Sequence, residues 1–505
     1  MQQNPKRTTL VASIDLGSQS IRGYLYGLNG ELAYRTHIDM DITCTSIYPW
    51  QSDPQQMVDV VKSLIDDLIG QTVEGHLQHC TIAAISLTCL RNSFVYLDKN
   101  KDAILPILYW YQGRRATQVP QLPWYWRIVF TALGQRGEID KLQQQAAVNW
   151  VAEHHPEGLM KTHQVCQLSG YLQGKLTGNY TDSWANMIAH LPLSFKRRRW
   201  LKSWAWQWSA LNVNASWLPK LCKPGTDLGD YTAIIHDTQI CVPVVAGAAD
   251  KTCELLGSGV IDESSLFVSL GTAITVNCLV VKCKGPKPFY PAYPTFNEDY
   301  YLAEEMLDYG CRLLREFVAW KCEHMIEDNE LNADTLSEAH LQDWICAHLI
   351  DLDANDTLSN QISQVCSDLS IADPIDLNQC RIGDIFRWDS QGCPENKDPE
   401  PMRQIGIEYL ALLHWLALKI RDAKLRMEAR HKRRFTRMIV SGGGQQSTVL
   451  LYLLAEVCNL DVRKNEQVHT GGRGAAIIAA VGQGFYPDFE SAVNAMCEST
   501  TTVCR

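Results

Sequence analysis

Asp15-Leu16-Gly17-Ser18-Gln19-Ser20 stands between the apolar run Leu10-Val11-Ala12-Ser13-Ile14 and the segment Ile21-Arg22-Gly23-Tyr24-Leu25-Tyr26. A carboxylate and a turn of small residues therefore join two predicted strands. Gly17 lets the backbone turn tightly, the amides and hydroxyls after it can face phosphate oxygens, and Asp15 can bind a Mg²⁺ that bridges them. Strand, turn and strand is not the strand, loop and helix of a Walker site. An ordinary hairpin is written with the same letters. The second copy changes the balance: Leu266-Phe267-Val268-Ser269-Leu270-Gly271-Thr272-Ala273-Ile274-Thr275-Val276 repeats strand, small-residue turn and strand about a domain's length later. Two hairpins facing one nucleotide are what a duplicated, clam-like phosphate-handling protein requires.

Two further elements fit that arrangement. Gly247-Ala248-Ala249-Asp250 ends a predicted buried strand, Ile240 to Val245, and opens a helix, which aims an acidic side chain into the crevice beyond the strand end. Transfer of a phosphoryl group to a hydroxyl needs a carboxylate within hydrogen-bond reach of that hydroxyl, so Asp250 is the candidate general base. A plain helix N-cap is the competing role for an Asp at this position. Its place about sixteen residues before the second hairpin favours the catalytic role. Ser441-Gly442-Gly443-Gly444-Gln445-Gln446 follows a strand and precedes a helix, and its glycines permit close backbone approach to a flat or phosphorylated ligand.

The elements that must hold these residues need a large chain, and 505 residues exceed what one core usually holds, so two or three domains are expected from length alone. The composition is 46% hydrophobic and 20% charged, that of an ordinary globular enzyme, and the net charge of -10 argues against a general nucleic-acid binder. The 18 cysteines are scattered, without Cys-x-x-Cys or a zinc-ligand cluster, and read as reduced thiols of a cytoplasmic protein. The N-terminal segment has no signal-peptide core, and no apolar stretch is long enough to span a bilayer.

Residues 10 to 40 read as paired strands with an Asn29-Gly30 turn, followed by a helix over about 54 to 70 and a β-rich segment from Cys80 to Leu97. From about 140 to 176 the pattern is helical, with a glycine stop at Gly178. A domain boundary is expected near 255, giving domains 1–255 and 256–505. The interval 323 to 400 is polar and acidic and reads as an insertion or lid. A helix over about 402 to 430, a strand from Phe435 to Val440, the glycine turn and a small-residue helix at Gly474 to Gly482 complete the chain.

In this order, these elements resemble the FGGY carbohydrate kinases of the actin, hexokinase and Hsp70-like ATPase superfamily. The resemblance also takes in Ser86 to Arg115, Leu176-Thr177-Gly178 with Thr181-Asp182 and Ala185-Asn186, and Ser441 to Gly484. It implies an α/β fold of two ribonuclease-H-like domains, with sugar and ATP meeting in the cleft between them. Carried over by position, Asp15 corresponds to the Mg²⁺-associated carboxylate and Asp250 to the base. Gly17, Ser18, Gln19 and Ser20, with Gly271 and Thr272, correspond to phosphate contacts. Gly443 and Gly444 correspond to adenosine contacts, with Gln446 and Ser447 nearby.

The sugar side departs from the family pattern. Where members carry a Trp-x-Asp-x-Arg motif this chain reads Trp110-Tyr111-Gln112-Gly113-Arg114-Arg115, with Gly113 in the acidic position. Arg91-Asn92 stands where glycerol-kinase-like members have Arg-Glu, which argues against glycerol, and the methionine-histidine-glycine element of typical xylulokinases is missing. The candidate substrate residues are Arg91, Asn92, Gln112, Arg115 and Asp250, because forked or amide side chains suit vicinal hydroxyls. The basic runs Lys196-Arg197-Arg198-Arg199 and His431-Lys432-Arg433-Arg434 read as solvated faces. The expected activity is ATP- and Mg²⁺-dependent phosphorylation of a small sugar, ketose or polyol. The partner is that small molecule rather than nucleic acid or membrane, and a homodimer is compatible with it. The altered Gly113 and Asn92 motivate one alternative, a nucleotide- or sugar-binding regulator descended from such kinases.

Overall fold

The computed structural model describes residues 7–17, 20–40, 53–109, 113–187, 190–286, 291–307, 309–325, 337–352, 356–368, 401–466, 469–497 and 500–504. Two mixed sheets carry the fold. The first contains β1 (Thr8–Leu16), β2 (Ser20–Gly27), β3 (Leu32–Asp39), β4 (Cys80–Cys89), β5 (Asp227–Ile235) and β6 (Thr238–Val245), in the order β5-β6-β4-β1-β2-β3. The second contains β7 (Ser265–Leu270), β8 (Ile274–Val280), β9 (Tyr293–Pro294), β10 (Tyr301–Met306), β11 (Arg437–Ser441), β12 (Asp461–Lys464) and β13 (Thr501–Cys504), in the order β9-β10-β8-β7-β11-β12-β13.

The same core recurs in both. An antiparallel meander, β3-β2-β1 or β10-β8-β7, is extended by two parallel strands, β4 and β6 or β11 and β12. That repeat is the duplication expected from the two hairpins. The central strands β1 and β7 have both faces covered, which is why they read as unbroken apolar runs and not as alternation.

Helices cover the outer faces. In α1 (Pro54–Val73) Asp53 caps the N-terminus, accepting from Gln55 N at 2.7 Å, and Met57, Val58, Val61, Leu64, Ile65 and Leu68 form the apolar stripe that covers the first sheet. The region 140 to 176 is interrupted by a short strand, Gln164–Gln167, before α2 (Leu168–Thr177), so it is not helical throughout. The predicted stop holds: Gly178 takes the left-handed conformation at the helix end, with φ of 78°.

Between the sheets lie two helices, α3 (Asp250–Gly257) and, near the end of the chain, the helix Thr470–Gly482. Their apolar residues form one cluster with Val11, Tyr24 and Tyr26 of the first sheet and Phe267 and Ile439 of the second. They approach to backbone distance: a Cβ on Gly474 would collide with the Cys253 carbonyl, and one on Gly257 with the Thr470 carbonyl. Arg473 is fully buried and its Nε donates to the Gly257 carbonyl at 2.8 Å, satisfying the C-terminal end of α3. The small-residue run at 474–482 is thus what lets a C-terminal helix dock on the first sheet. It starts four residues earlier than its alanines indicate, at Thr470.

The described part of the polar interval holds two helices, α4 (Glu338–His348) and α5 (Leu358–Asp368), whose apolar residues Leu341, Ile345, Leu358 and Ile362 join the second core with α6 (Pro401–His431). The remainder of that interval lies outside the described residues. After β11 come the glycine turn and α7 (Thr448–Cys458), and the helix Thr470–Gly482 is α8. No helix among the described residues is long and apolar enough to cross a membrane.

Candidate active site

The two hairpins, the helix α3 that carries Asp250 and the glycine turn open onto one cavity of about 940 Å³. Of the sequence-predicted residues, Asp15, Gly17, Asp250, Gly271, Thr272, Gly443, Gly444, Gln446 and Ser447 line it. Ser18, Gln19 and Gln112, with Trp110 and Tyr111, lie outside the described residues. Ser20 is buried beneath the first turn, where its carbonyl accepts the Gly17 N–H at 3.1 Å. The two glycines of the wall differ in kind. Nothing lies within 4 Å of a Cβ placed on Gly443, whereas one on Gly444 would press on Cys311 Sγ and Leu270.

Asp15 is the penultimate residue of β1, and its register partner across the hairpin is Arg22, whose guanidinium is 3.9 Å from the carboxylate. Burial pushes the Asp15 carboxyl up to about 6, with Arg22 opposing and the charges of Asp250 and Glu254 adding to the rise. A carboxylate so poorly compensated fits a cation. Among the described residues no cluster of three or more His, Cys, Asp or Glu side chains could hold a metal by itself, so an ion at Asp15 would need further ligands from outside the protein, such as phosphate and water.

Asp250 sits at the first residue of α3, directly after the bridge that pairs Ala249 with Cys89 of β4. Its Oδ1 lies 3.2 Å from Arg91 Nε, an ion pair whose angle falls short of a hydrogen bond, so this buried oxygen accepts from no donor. Burial raises its pKa, against the opposing charges of Arg91 and Lys251. The opposite side of Arg91 is taken by Glu304 of β10, with NH2 2.7 Å from each carboxylate oxygen.

The other substrate candidates separate. Asn92 adopts a left-handed backbone (φ 53°) beside Arg91, and its buried Oδ1 has no partner. Arg115 is exposed and is not brought to the cavity. Its neighbour Arg114 turns inward instead, its guanidinium 4.4 Å from the Trp150 ring centroid, and burial draws its pKa down to about 10.

Several cavity residues escaped the sequence argument. Lys251 and Glu254 follow Asp250 on the same helix, and the i, i+3 spacing that pairs them at 2.7 Å is a signal that was available. Glu304 of β10, whose place before Gly310 already suggests the edge of the cleft, is not among the candidate site residues above; it reaches the site through Arg91 and does not itself line the cavity. Glu338, Gln342, Asp343 and Cys346 of α4 complete the far wall, and nothing in their polar surroundings distinguished them.

The comparisons agree with this architecture. The model of the FGGY family of carbohydrate kinases, N-terminal domain, matches residues 10–257, and that of the C-terminal domain matches 266–483. An uncharacterized sugar kinase of Escherichia coli strain K12, YgcE, is 29% identical over 350 residues, spanning 66% of this chain and 63% of the relative. A xylulose kinase of Lactococcus lactis is 23% identical over 96% of this chain and 90% of its own length. Among solved structures, a glycerol kinase of Plasmodium falciparum with ADP superposes with a TM-score of 0.73 at 14% identity, over 99% of this chain and 95% of that one. A gluconate kinase of Lactobacillus acidophilus gives 0.69 at 17%, over 98% and 93%. With two facing hairpins, a carboxylate between them and family models matching both halves of the sequence, the chain belongs to the FGGY family of carbohydrate kinases.

Proposed function

We propose that the protein phosphorylates a hydroxyl of a small sugar, ketose or polyol with ATP, by direct in-line transfer and with Asp250 as general base. One observation carries this reading: Asp250, whose Oδ1 is held by Arg91 at 3.2 Å, keeps a quarter of its side-chain surface open and lines the cavity that both hairpins and the glycine wall share. The acceptor hydroxyl donates to that carboxylate, its oxygen attacks the γ-phosphorus, the bond to the β–γ bridging oxygen breaks, and the proton passes to Asp250. A divalent ion near Asp15 would supply charge neutralisation on the phosphates. The second hairpin positions the phosphates from the opposite side, and the remaining contribution is orientation and exclusion of water.

Arg91, held between Asp250 and Glu304, lies where it can orient the acceptor, and the Asn92 amide supplies a free acceptor beside it. Relatives named xylulose kinase and gluconokinase put ketoses and sugar acids first on a substrate panel. The test is ADP release with Mg-ATP across pentuloses, pentitols, hexonates and short polyols. Substrate-dependent release is expected, falling by about 10²–10⁴ in Asp250→Ala while nucleotide binding survives. Near-normal turnover in that variant removes Asp250 as the base, and ATP binding without turnover on any sugar turns the reading to a regulator.

A further inference from the structure

Glu254 connects three parts of the site with one carboxylate. Its Oε1 accepts from Ser269 Oγ at 2.8 Å and from Ser441 Oγ, and its Oε2 accepts from Lys251 Nζ at 2.7 Å. Ser269 precedes the second phosphate turn by two residues, and Ser441 leads directly into Gly442 of the glycine wall. These donors hold the buried Glu254 carboxylate below its ordinary pKa, so it stays ionised. Lys251 is thereby fixed between the base, one residue away, and the hairpin, whose Ser269 Oγ accepts from Nζ at 2.8 Å. Among the described residues its third N–H has no acceptor.

The charges of the cavity give that ammonium a purpose. Among the described residues five carboxylates line it, from Asp15, Asp250, Glu254, Glu338 and Asp343, against three permanent cations, Arg22, Lys251 and Arg315. Arg22 faces Asp15, and Arg315 acts on Glu338 of the far wall. In-line transfer to a hydroxyl held by Asp250 puts the γ-phosphorus within about 3–3.5 Å of that hydroxyl. The cation on the neighbouring residue is the one placed to meet its oxygens.

Resting on the proposed kinase reading, we propose that Lys251 is a further catalytic residue that binds the γ-phosphoryl group of ATP, with Glu254 as its positioning residue. Lys251 keeps its proton throughout: it donates to equatorial oxygens of the transferring group, while the acceptor proton goes to Asp250 and the bridging oxygen leaves with ADP. The contact exists with a triphosphate and disappears with a diphosphate, so Lys251 distinguishes substrate nucleotide from product nucleotide.

The experiment compares binding of Mg-ADP and of a Mg-bound non-hydrolysable ATP analogue, by calorimetry, in wild type, Lys251→Met, Lys251→Arg and Glu254→Gln, together with sugar-dependent turnover. In Lys251→Met the analogue is expected to lose about tenfold in affinity, as for one charge-assisted hydrogen bond, while ADP stays within about twofold. Turnover should fall about 10²–10³-fold, the cost of removing one preorganised donor, with partial rescue in Lys251→Arg. Glu254→Gln, which keeps the acceptor atoms and loses the charge, should show the same selective loss in smaller measure. Equal losses for ADP and analogue, or no loss for either, overturn the proposal. A wild type that binds both nucleotides yet turns over no sugar removes only the activity, and the analogue-to-ADP ratio still decides the role of Lys251. A wild type that binds neither overturns both.

Discussion

Arg91 and Glu304 meet across the cleft: one guanidinium nitrogen, on the loop after β4 of the first sheet, lies 2.7 Å from both oxygens of a carboxylate on β10 of the second. The same guanidinium reaches Asp250 at 3.2 Å, so a single cation balances the Asp250 carboxylate and links the two sheets. Burial raises the Asp250 pKa, and Arg91 opposes that rise.

Arg91→Met should therefore push the Asp250 pKa still higher. On the proposed reading Asp250 must be ionised to accept a proton, so the acid limb of the pH–rate profile should move to higher pH. Turnover of the variant should fall more steeply at pH 6 than at pH 8.5, beyond any uniform loss from a disordered substrate. A profile that drops without shifting would show that Arg91 acts on substrate alone.

Asp15 sets function against stability. Its folded pKa, about 6, lies above the ordinary 3.8 of an aspartate, so the folded state holds this proton more tightly than the unfolded one. The contribution is full below about pH 4 and is lost as pH rises through about 6, on the order of 2–3 kcal/mol as an upper bound for a group with some solvent contact. Asp15→Asn should melt above wild type at pH 7.5 without nucleotide or metal, by a margin that shrinks at pH 5, while losing Mg-dependent turnover. Thermal scans at the two pH values measure it, and an Asn variant less stable than wild type at pH 7.5 contradicts it.

Two glycines predict opposite outcomes. Gly443 has open space where a Cβ would stand and lines the cavity, so Gly443→Ala should leave the urea midpoint unchanged and weaken ATP binding by about fivefold or more. Gly474 faces the Cys253 carbonyl across the α3–α8 crossing, and Gly474→Val should cost about 3 kcal/mol or more through overpacking. If the Val variant has the wild-type midpoint, the close approach of the two helices is not as described.

The part of the cavity lining formed by the two hairpins and the glycine turn was legible because it is local. Asp15 with Gly17, Gly271 with Thr272, and Gly443 each lie in a turn flanked by strongly patterned strands, and a turn's residue types follow from its backbone. Asp250 was legible because a strand end aims the residue that follows it. The parts that were not legible depend on tertiary pairing. Glu304 acquires its role only when β10 brings it to Arg91, and Arg114, not Arg115, turns inward because Trp150 offers it a ring face. The wall built from Glu338, Gln342 and Asp343 belongs to a helix whose polar neighbours hide its buried Leu341 and Ile345. Propensity and pattern carry no information on such long-range partners.

The return of α8 to the first sheet makes the two halves of the chain mutually dependent. Severing the connection near residues 258–264 would give an N-terminal piece whose α3 and β1 lack the helix that covers them, and a C-terminal piece that presents Ala475, Ile477 and Ile478 to water. Neither piece is a self-sufficient module, yet each offers the surface the other needs. Co-expressed as separate polypeptides, they are expected to act as a complementation pair, in which reassembly of the clam and restoration of the cavity are one event.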